Sequence, residues 1–144
     1  MATRAPDIEA IVREIVGSVE RGEAQLMEER LSEDPDALAI GTDASEWAQG
    51  REQVMAFFRD SGPDGSLKLT IPVHEVAAYA EGDVGWAVAR IAFEVEGREV
   101  PVRMTTVMRR EDGEWRLMQM HASIGVPNGE MANPMFAATA SADA

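Results

Sequence analysis

Few residues of this sequence could do chemistry. The candidates are two histidines, His74 and His121, and two carboxylates in one polar loop, Asp43 and Glu46. Histidine titrates near neutral pH and carboxylates serve as general acids or bases, so either type could move a proton. Two isolated histidines and no cysteine provide no metal triad, thiolate nucleophile or disulfide. No glycine run has the spacing of a phosphate-binding loop, and we expect no metal and no cofactor.

The segment from Gly41 to Gly50 is predicted to be the polar loop that holds Asp43, Glu46 and Trp47. In a functional interpretation, Trp47 is a wall of a ligand site and Asp43 is a polar anchor at its mouth. In the alternative, which we favour, Asp43 serves a turn and Trp47 covers the core. Asp43 and Glu46 are therefore weak catalytic candidates.

The composition limits the partners that such residues could serve. A chain of 144 residues with 45% hydrophobic residues is typical of one globular domain. The formal net charge of −13 repels phosphate groups, so nucleic acids and anionic membranes are unfavourable partners. No segment has the apolar core of a signal peptide or the ~20 apolar residues of a membrane-spanning helix. We expect a cytoplasmic protein.

Hydrophobic periodicity predicts an α+β domain in which three helices precede an antiparallel meander. Apolar residues recur at helical spacing over residues 7–21, with Asp7 as the predicted N-cap and Gly22 as the stop. The other predicted elements are helices over 23–31 and 51–60, a short strand over 38–40, and strands joined by glycine-containing turns over 67–126. We assign residues 1–6 to a lead, 7–127 to the domain and 128–144 to a mobile tail.

Alternation along the predicted strands separates two faces of the sheet. One face is almost wholly apolar and is expected to pack on the first helix. The opposite face mixes aromatic residues, arginines and His121, a composition typical of a buried subunit interface, so we favour an interface or structural role for His121 over catalysis. We therefore expect a homodimer through Trp86, Arg103, Trp115, Leu117, Gln119 and His121.

Several motifs resemble those of a known family. The order of elements, the Gly41-Thr-Asp…Glu-Trp…Gly50 loop and the closing Asp112-Gly-Glu-Trp115 and Met120-His-Ala-Ser-Ile-Gly125 segments resemble the SnoaL-like branch of the nuclear transport factor 2 superfamily, over residues 8–127. The Trp-x-x-x-x-x-His-x-Ser ending is also similar to the association domain of calcium/calmodulin-dependent kinase. The resemblance implies a cone-shaped, cystatin-like fold, in which a curved sheet wraps a long helix around a pocket and often dimerises.

The resemblance also provides a test for known chemistry. Ketosteroid isomerases of this superfamily use a carboxylate base, a tyrosine and a protonated aspartic acid. The resemblance places that tyrosine at Ile15, the base at or next to Ile40 and the aspartic acid at or next to Thr106, so all three groups are missing. The epoxide hydrolase relatives need an Asp–Arg–Asp set, but Arg103 has no aspartate two residues away.

Two functions remain open. We favour binding of a small hydrophobic molecule without catalysis, because the inner strands supply only Thr106 as a polar group. The alternative is a SnoaL-like cyclase or isomerase that acts on a hydrophobic substrate through Asp43 or Glu46. The pocket is expected to enclose about 300–1,000 Å³ and to hold no group that could pair a ligand's charge. Its expected lining is Ile15, Ile40, Trp47, Ile91, Phe93, Met104, Thr106, Met118, Met120 and Ile124.

Overall fold

Three helices pack against a mixed sheet of seven strands in the computed structural model, which describes residues 1–61 and 69–133. The predicted strand residues 67–68 and tail residues 134–144 lie outside the described part. The α+β class and cone-like architecture expected from the sequence are confirmed. In chain order, the elements are β1 (Thr3–Arg4), α1 (Pro6–Arg21), α2 (Gln25–Arg30), β2 (Leu38–Ile40), β3 (Trp47–Gln49), α3 (Arg51–Asp60), β4 (Val73–Glu81), β5 (Val84–Val95), β6 (Arg98–Glu111), β7 (Glu114–Ser123) and a 3-10 turn at Asn128–Glu130.

Helix α1 buries the apolar stripe that its sequence predicts. Its buried side comprises Ile8, Ile11, Val12, Ile15 and Val16, which pack on β4 and β5. Gly22 ends the helix in the left-handed conformation, with φ of 70°, and its N–H bonds to the Ser18 and Val19 carbonyls. The helix starts one residue earlier than predicted, because Pro6 occupies the first turn and Ala5 is the N-cap. Asp7 is therefore not the N-cap; its Oδ1 accepts a hydrogen bond from the Ile8 amide at 3.0 Å, and its Oδ2 can accept one from another element.

The sheet order is β1-β4-β5-β6-β7-β2-β3. Strands β4 to β7 form the predicted antiparallel meander, and two of its hairpins turn through residue pairs with positive φ, Glu96-Gly97 and Asp112-Gly113. Two short strands were not predicted: β1 arises within the expected lead, and β3 lies in the expected polar loop. Strand β2 pairs with β7 in parallel, so the sheet is mixed.

A bulge in β7 changes which side chains face the core. Val107 pairs with Gln119, but Met108 pairs with Leu117, so Met118 has no partner on β6. This extra residue reverses the alternation on the N-terminal side of the bulge. Trp115 and Leu117 are consequently buried, at 5% and 1% exposure, and join the core that packs under α1.

A polar cluster fastens the segment after α2 to the end of β6. Arg109 donates to Glu111 at 2.8 Å and to Asp34 at 3.0 Å, and the buried Ser32 hydroxyl donates to Glu111. Burial opposes ionisation of Glu111, but the hydrogen bonds from Ser32 and Arg109 outweigh it and lower the pKa of Glu111. Two hydrogen bonds lower the pKa of Asp34: the one from the Asp36 amide has the larger effect, and the one from the Arg109 side chain has the smaller. The cluster sets the position from which the chain enters β2.

Candidate functional site

A cavity of about 180 Å³ lies between α1, α3 and the inner face of the sheet. Helix α1, the loop after β2, α3, the segment before β4 and the last three strands each form part of its wall. Glu20 accepts a hydrogen bond from the Ile71 amide at 2.6 Å and so fixes the segment before β4 against the C-terminal part of α1. The lining residues are Ile15, Val16, Val19, Gly41, Thr42, Glu46, Phe57, Phe58, Ser61, Leu69, Ile71, Ile91, Phe93, Met104, Met120 and Ala122.

Half of the predicted lining residues border this cavity: Ile15, Ile91, Phe93, Met104 and Met120. They come from α1, β5, β6 and β7, where helical periodicity or strand alternation predicts the inward face. The cavity is smaller than expected, because side chains of α1 and α3 fill much of the space above the sheet.

The other five predicted lining residues do not border it, and each has a local reason. Ile40 pairs with His121 on the outer face, and Trp47, opposite Ile40, is 65% exposed. Met118 is the bulged residue of β7, and Ile124 follows the end of that strand at 43% exposure. Thr106 faces inward but lies within the packed core, where its hydroxyl has no hydrogen-bond partner among the described residues.

The sequence reasoning missed the walls that α3 and the segment before β4 provide. Phe57 and Phe58 of α3 both border the cavity, and their rings pack edge to face with centroids 5.2 Å apart. Val16 and Val19 lie on the apolar stripe of α1, so helical periodicity could have identified them. No sequence signal indicated Thr42, whose position depends on the loop after β2.

Among the described residues that line the cavity, Glu46 is the only charged one. Its Oε1 accepts a hydrogen bond from the Asp43 amide at 2.8 Å. Gly41 permits this position, because a Cβ on Gly41 would lie 2.7 Å from both the carboxyl carbon and Oε1 of Glu46 and 2.8 Å from Cε2 of Phe57. The expectation that no charged group could reach a ligand there was wrong: strand alternation could not reveal a carboxylate supplied by the loop.

Asp43 serves the turn, as the favoured interpretation predicts. Its Oδ1 accepts hydrogen bonds from the Ser45 hydroxyl at 2.6 Å and the Ser45 amide at 2.9 Å. These bonds lower the pKa of Asp43, and its side chain is exposed outside the cavity lining. Of the two carboxylates proposed for catalysis, the structure brings only Glu46 to the cavity.

The predicted dimer face divides into two groups. Arg103, Gln119 and His121 are exposed on the outer face, and Trp86 is half-buried there, stacked on Tyr79 with centroids 6.3 Å apart. Assigning Trp115 and Leu117 to this face was wrong, because the β7 bulge turns them into the core.

Neither histidine belongs to the cavity. His74 lies 3.3 Å from Glu99 on the outer face, and His121 is exposed beside Thr105. Over residues 1–61 and 69–133, no group of three or more His, Asp or Glu side chains could hold a metal ion. In the same part of the chain, no helix is long and apolar enough to cross a membrane.

Comparison with known proteins matches the chain to one family. A family model described as a SnoaL-like domain matches residues 8–127. A search of curated proteins found no match. The family match covers the helices, the cavity and the whole meander.

Solved structures share the fold at low sequence identity. An NTF2-like protein of unknown function from Pseudomonas putida is similar with a TM-score of 0.72 and 15% identity, over 88% of this chain and 92% of that one. A candidate ketosteroid isomerase from Parabacteroides distasonis is similar with a TM-score of 0.66 and 16% identity, over 83% of this chain and 86% of that one. A candidate calcium/calmodulin-dependent protein kinase II association domain from Xanthomonas campestris has a TM-score of 0.66 and 19% identity, over 85% of this chain and 87% of that one. At these identities the similarity establishes the fold alone.

Proposed function

The chain belongs to the SnoaL-like domain family, and we propose that it binds a small apolar molecule in the cavity between α1, α3 and the sheet. The observation that supports this most strongly is the composition of the described lining residues, which are apolar or glycine except for Thr42, Glu46 and Ser61. The Ser61 hydroxyl is already bonded to the Phe57 carbonyl at 2.6 Å. Transfer of an apolar ligand into such a site gains roughly 25 cal/mol for each Å² removed from water.

The size of the cavity limits the ligand. An apolar cavity of about 150 Å³ is sufficient to bind benzene. The 180 Å³ here therefore suits a molecule with one aromatic ring or a short branched chain. Two of the flexible lining residues, Met104 and Met120, could adapt to ligands of somewhat different shape.

Thermal unfolding with benzyl alcohol tests the proposal. A ligand that binds only the folded state raises the melting temperature, by an amount that grows with its concentration relative to Kd. We expect benzyl alcohol to raise the melting temperature of the wild-type protein and of Met118→Glu, whose bulge position lies outside the lining. Met120→Glu should lose the shift, because it places a carboxylate among apolar lining atoms. A shift of equal size in Met120→Glu, or none in the wild-type protein, would exclude binding at this site.

A second candidate function is proton transfer catalysed by Glu46. It is favoured by one observation: Oε2 of Glu46 has no hydrogen-bond partner among the described residues, at a cavity where a reacting C–H group could lie beside it. The test is deuterium exchange into phenylacetone, followed by NMR. A saturable exchange rate that Glu46→Gln abolishes would favour this enzyme, whereas no rate above the buffer's would favour binding alone.

A further inference from the structure

The Glu46 carboxylate is held in place before any ligand arrives. Two backbone hydrogen bonds close its loop, from the Gly41 amide to the Glu46 carbonyl and from the Glu46 amide to the Asp43 carbonyl, both at 3.0 Å. The Asp43 amide then fixes Oε1. Two backbone bonds thus order the loop and one bond holds the carboxylate, so the side chain has less freedom to lose when it binds a ligand, and the entropic cost of that interaction is reduced.

This carboxylate has an unused capacity to accept hydrogen bonds. A carboxylate has about four acceptor sites, and only one, on Oε1, is occupied by a donor among the described residues. Among the lining residues that the structure describes there is no arginine, lysine or histidine, and Glu46 forms no ion pair with another described residue. Within residues 1–61 and 69–133, the cavity therefore presents one negative charge without a basic partner beside an apolar volume.

The surroundings of Glu46 also favour a cation. The formal charge of the whole chain is −13, which attracts cations and repels anions. Phe57, Phe58 and Phe93 border the same volume, and the faces of aromatic rings attract ammonium groups. An anionic ligand would meet the Glu46 charge, and no basic side chain among the described lining residues would compensate it.

We infer that the ligand is a small hydrophobic amine, whose hydrocarbon part fills the cavity and whose ammonium group bonds to Glu46. This inference rests on the proposed binding function and specifies its ligand class. Gly41 contributes to this ammonium site, because the absence of a Cβ leaves the space in which the Glu46 carboxylate lies next to Phe57.

The test uses three probes with the same ring: benzylamine, benzyl alcohol and benzoate. Calorimetric titration of the wild-type protein should give benzylamine at least about tenfold tighter binding than benzyl alcohol, because a hydrogen bond between charged groups is stronger than one to a neutral group. Benzoate should bind most weakly. Equal affinity for the amine and the alcohol would overturn the amine inference while leaving the proposed function intact. Failure of all three probes to bind would instead refute the proposed function.

Variants separate the Glu46 carboxylate from the general charge of the protein. Glu46→Gln keeps an acceptor for the Asp43 amide and should remove the preference for benzylamine, leaving benzyl alcohol affinity within about twofold. The matched control is Glu52→Gln, which removes the same charge from an exposed position on α3 outside the cavity lining. It should retain the preference. An amine preference that survives Glu46→Gln, or is lost equally in Glu52→Gln, would show that Glu46 does not recognise the ammonium group.

Discussion

The carboxylate of Asp7 accepts a hydrogen bond from the indole N–H of Trp115 at 3.0 Å. This bond joins the first turn of α1 to the start of β7. Arg110 lies over the same indole ring, 4.1 Å from its centroid. Trp115 thus has an apolar body in the core and a polar edge bonded to the helix. The contact exists because the β7 bulge turns Trp115 inward.

Trp115→Phe should lower the free energy of unfolding by about 2 kcal/mol, because it removes a hydrogen bond to a charged group and some buried area. Trp86→Phe, on the outer face, is the control and should cost clearly less in the monomer. Urea denaturation at low protein concentration measures both. A larger loss for Trp86→Phe would contradict the register derived from the bulge.

The polar cluster around Arg109 predicts how stability depends on pH. The folded-state pKa values of Asp34 and Glu111 are lowered, so both groups contribute stability above their unfolded pKa values, about 3.9 and 4.3. That contribution is lost as the pH falls through the folded values. The stability difference between the wild-type protein and Glu111→Gln should therefore shrink as the pH is lowered from 6 to about 3. A constant difference over that range would show that the cluster does not ionise as described.

The outer sheet face remains the predicted dimer surface, in a revised form. Cross-strand pairing places Trp47, Ile40, His121, Thr105 and Val88 in one row across β3, β2, β7, β6 and β5. Trp47 and Val88, at 65% and 49% exposure, are large apolar side chains whose burial would favour association. The surface thus gains Trp47 and Ile40, which had been predicted to line the pocket.

Light scattering at micromolar concentration should give about twice the chain mass of 15.7 kDa. Val88→Asp should give the monomer, because the charge would be buried without a partner. Val126→Asp, at an exposed position after β7, makes the same change outside the row and should leave the dimer intact. A monomeric wild-type protein, or a dimer that survives Val88→Asp, would refute this surface.

Gly41→Ala should displace the Glu46 carboxylate, because the new Cβ would lie 2.7 Å from its carboxyl carbon. We expect a stability loss of about 1–3 kcal/mol from the overpacking and a weaker preference for benzylamine. Gly129→Ala has no atom within 4 Å of its new Cβ and should change neither property. Chemical denaturation and calorimetry provide the two measurements, and an unaltered Gly41→Ala protein would show that the space is not needed.

Local sequence patterns correctly predicted helix α1 and the hairpins of the meander. The stripe from Ile8 to Val16 determines how α1 lies on the sheet, and the Glu96-Gly97 and Asp112-Gly113 pairs specify tight hairpins. Each of these signals is contained within a few neighbouring residues. Alternation also placed Ile91, Met104 and Met120 on the inner face.

Features that depend on contacts between distant segments could not be predicted. The bulge at Met118 arises from the pairing of β6 with β7, and the sequence of β7 alone contains no signal that predicts it. The position of Glu46 depends on Gly41 and Phe57 packing together across the loop and α3. Trp47 was expected to cover the core. It lies instead in β3, paired with Ile40 of β2, where its side chain is exposed at the edge of the sheet.

The most direct test of ligand binding in the cavity is a crystal structure of the protein soaked with iodobenzene, because anomalous scattering locates the iodine independently of any modelling of the ring. We predict an iodine peak surrounded by Ile15, Ile91, Met104 and Met120, and its absence from crystals of Ala122→Phe, in which the added ring occupies the cavity. Iodine found only on the outer sheet face, or an unchanged peak in Ala122→Phe, would contradict binding at this site.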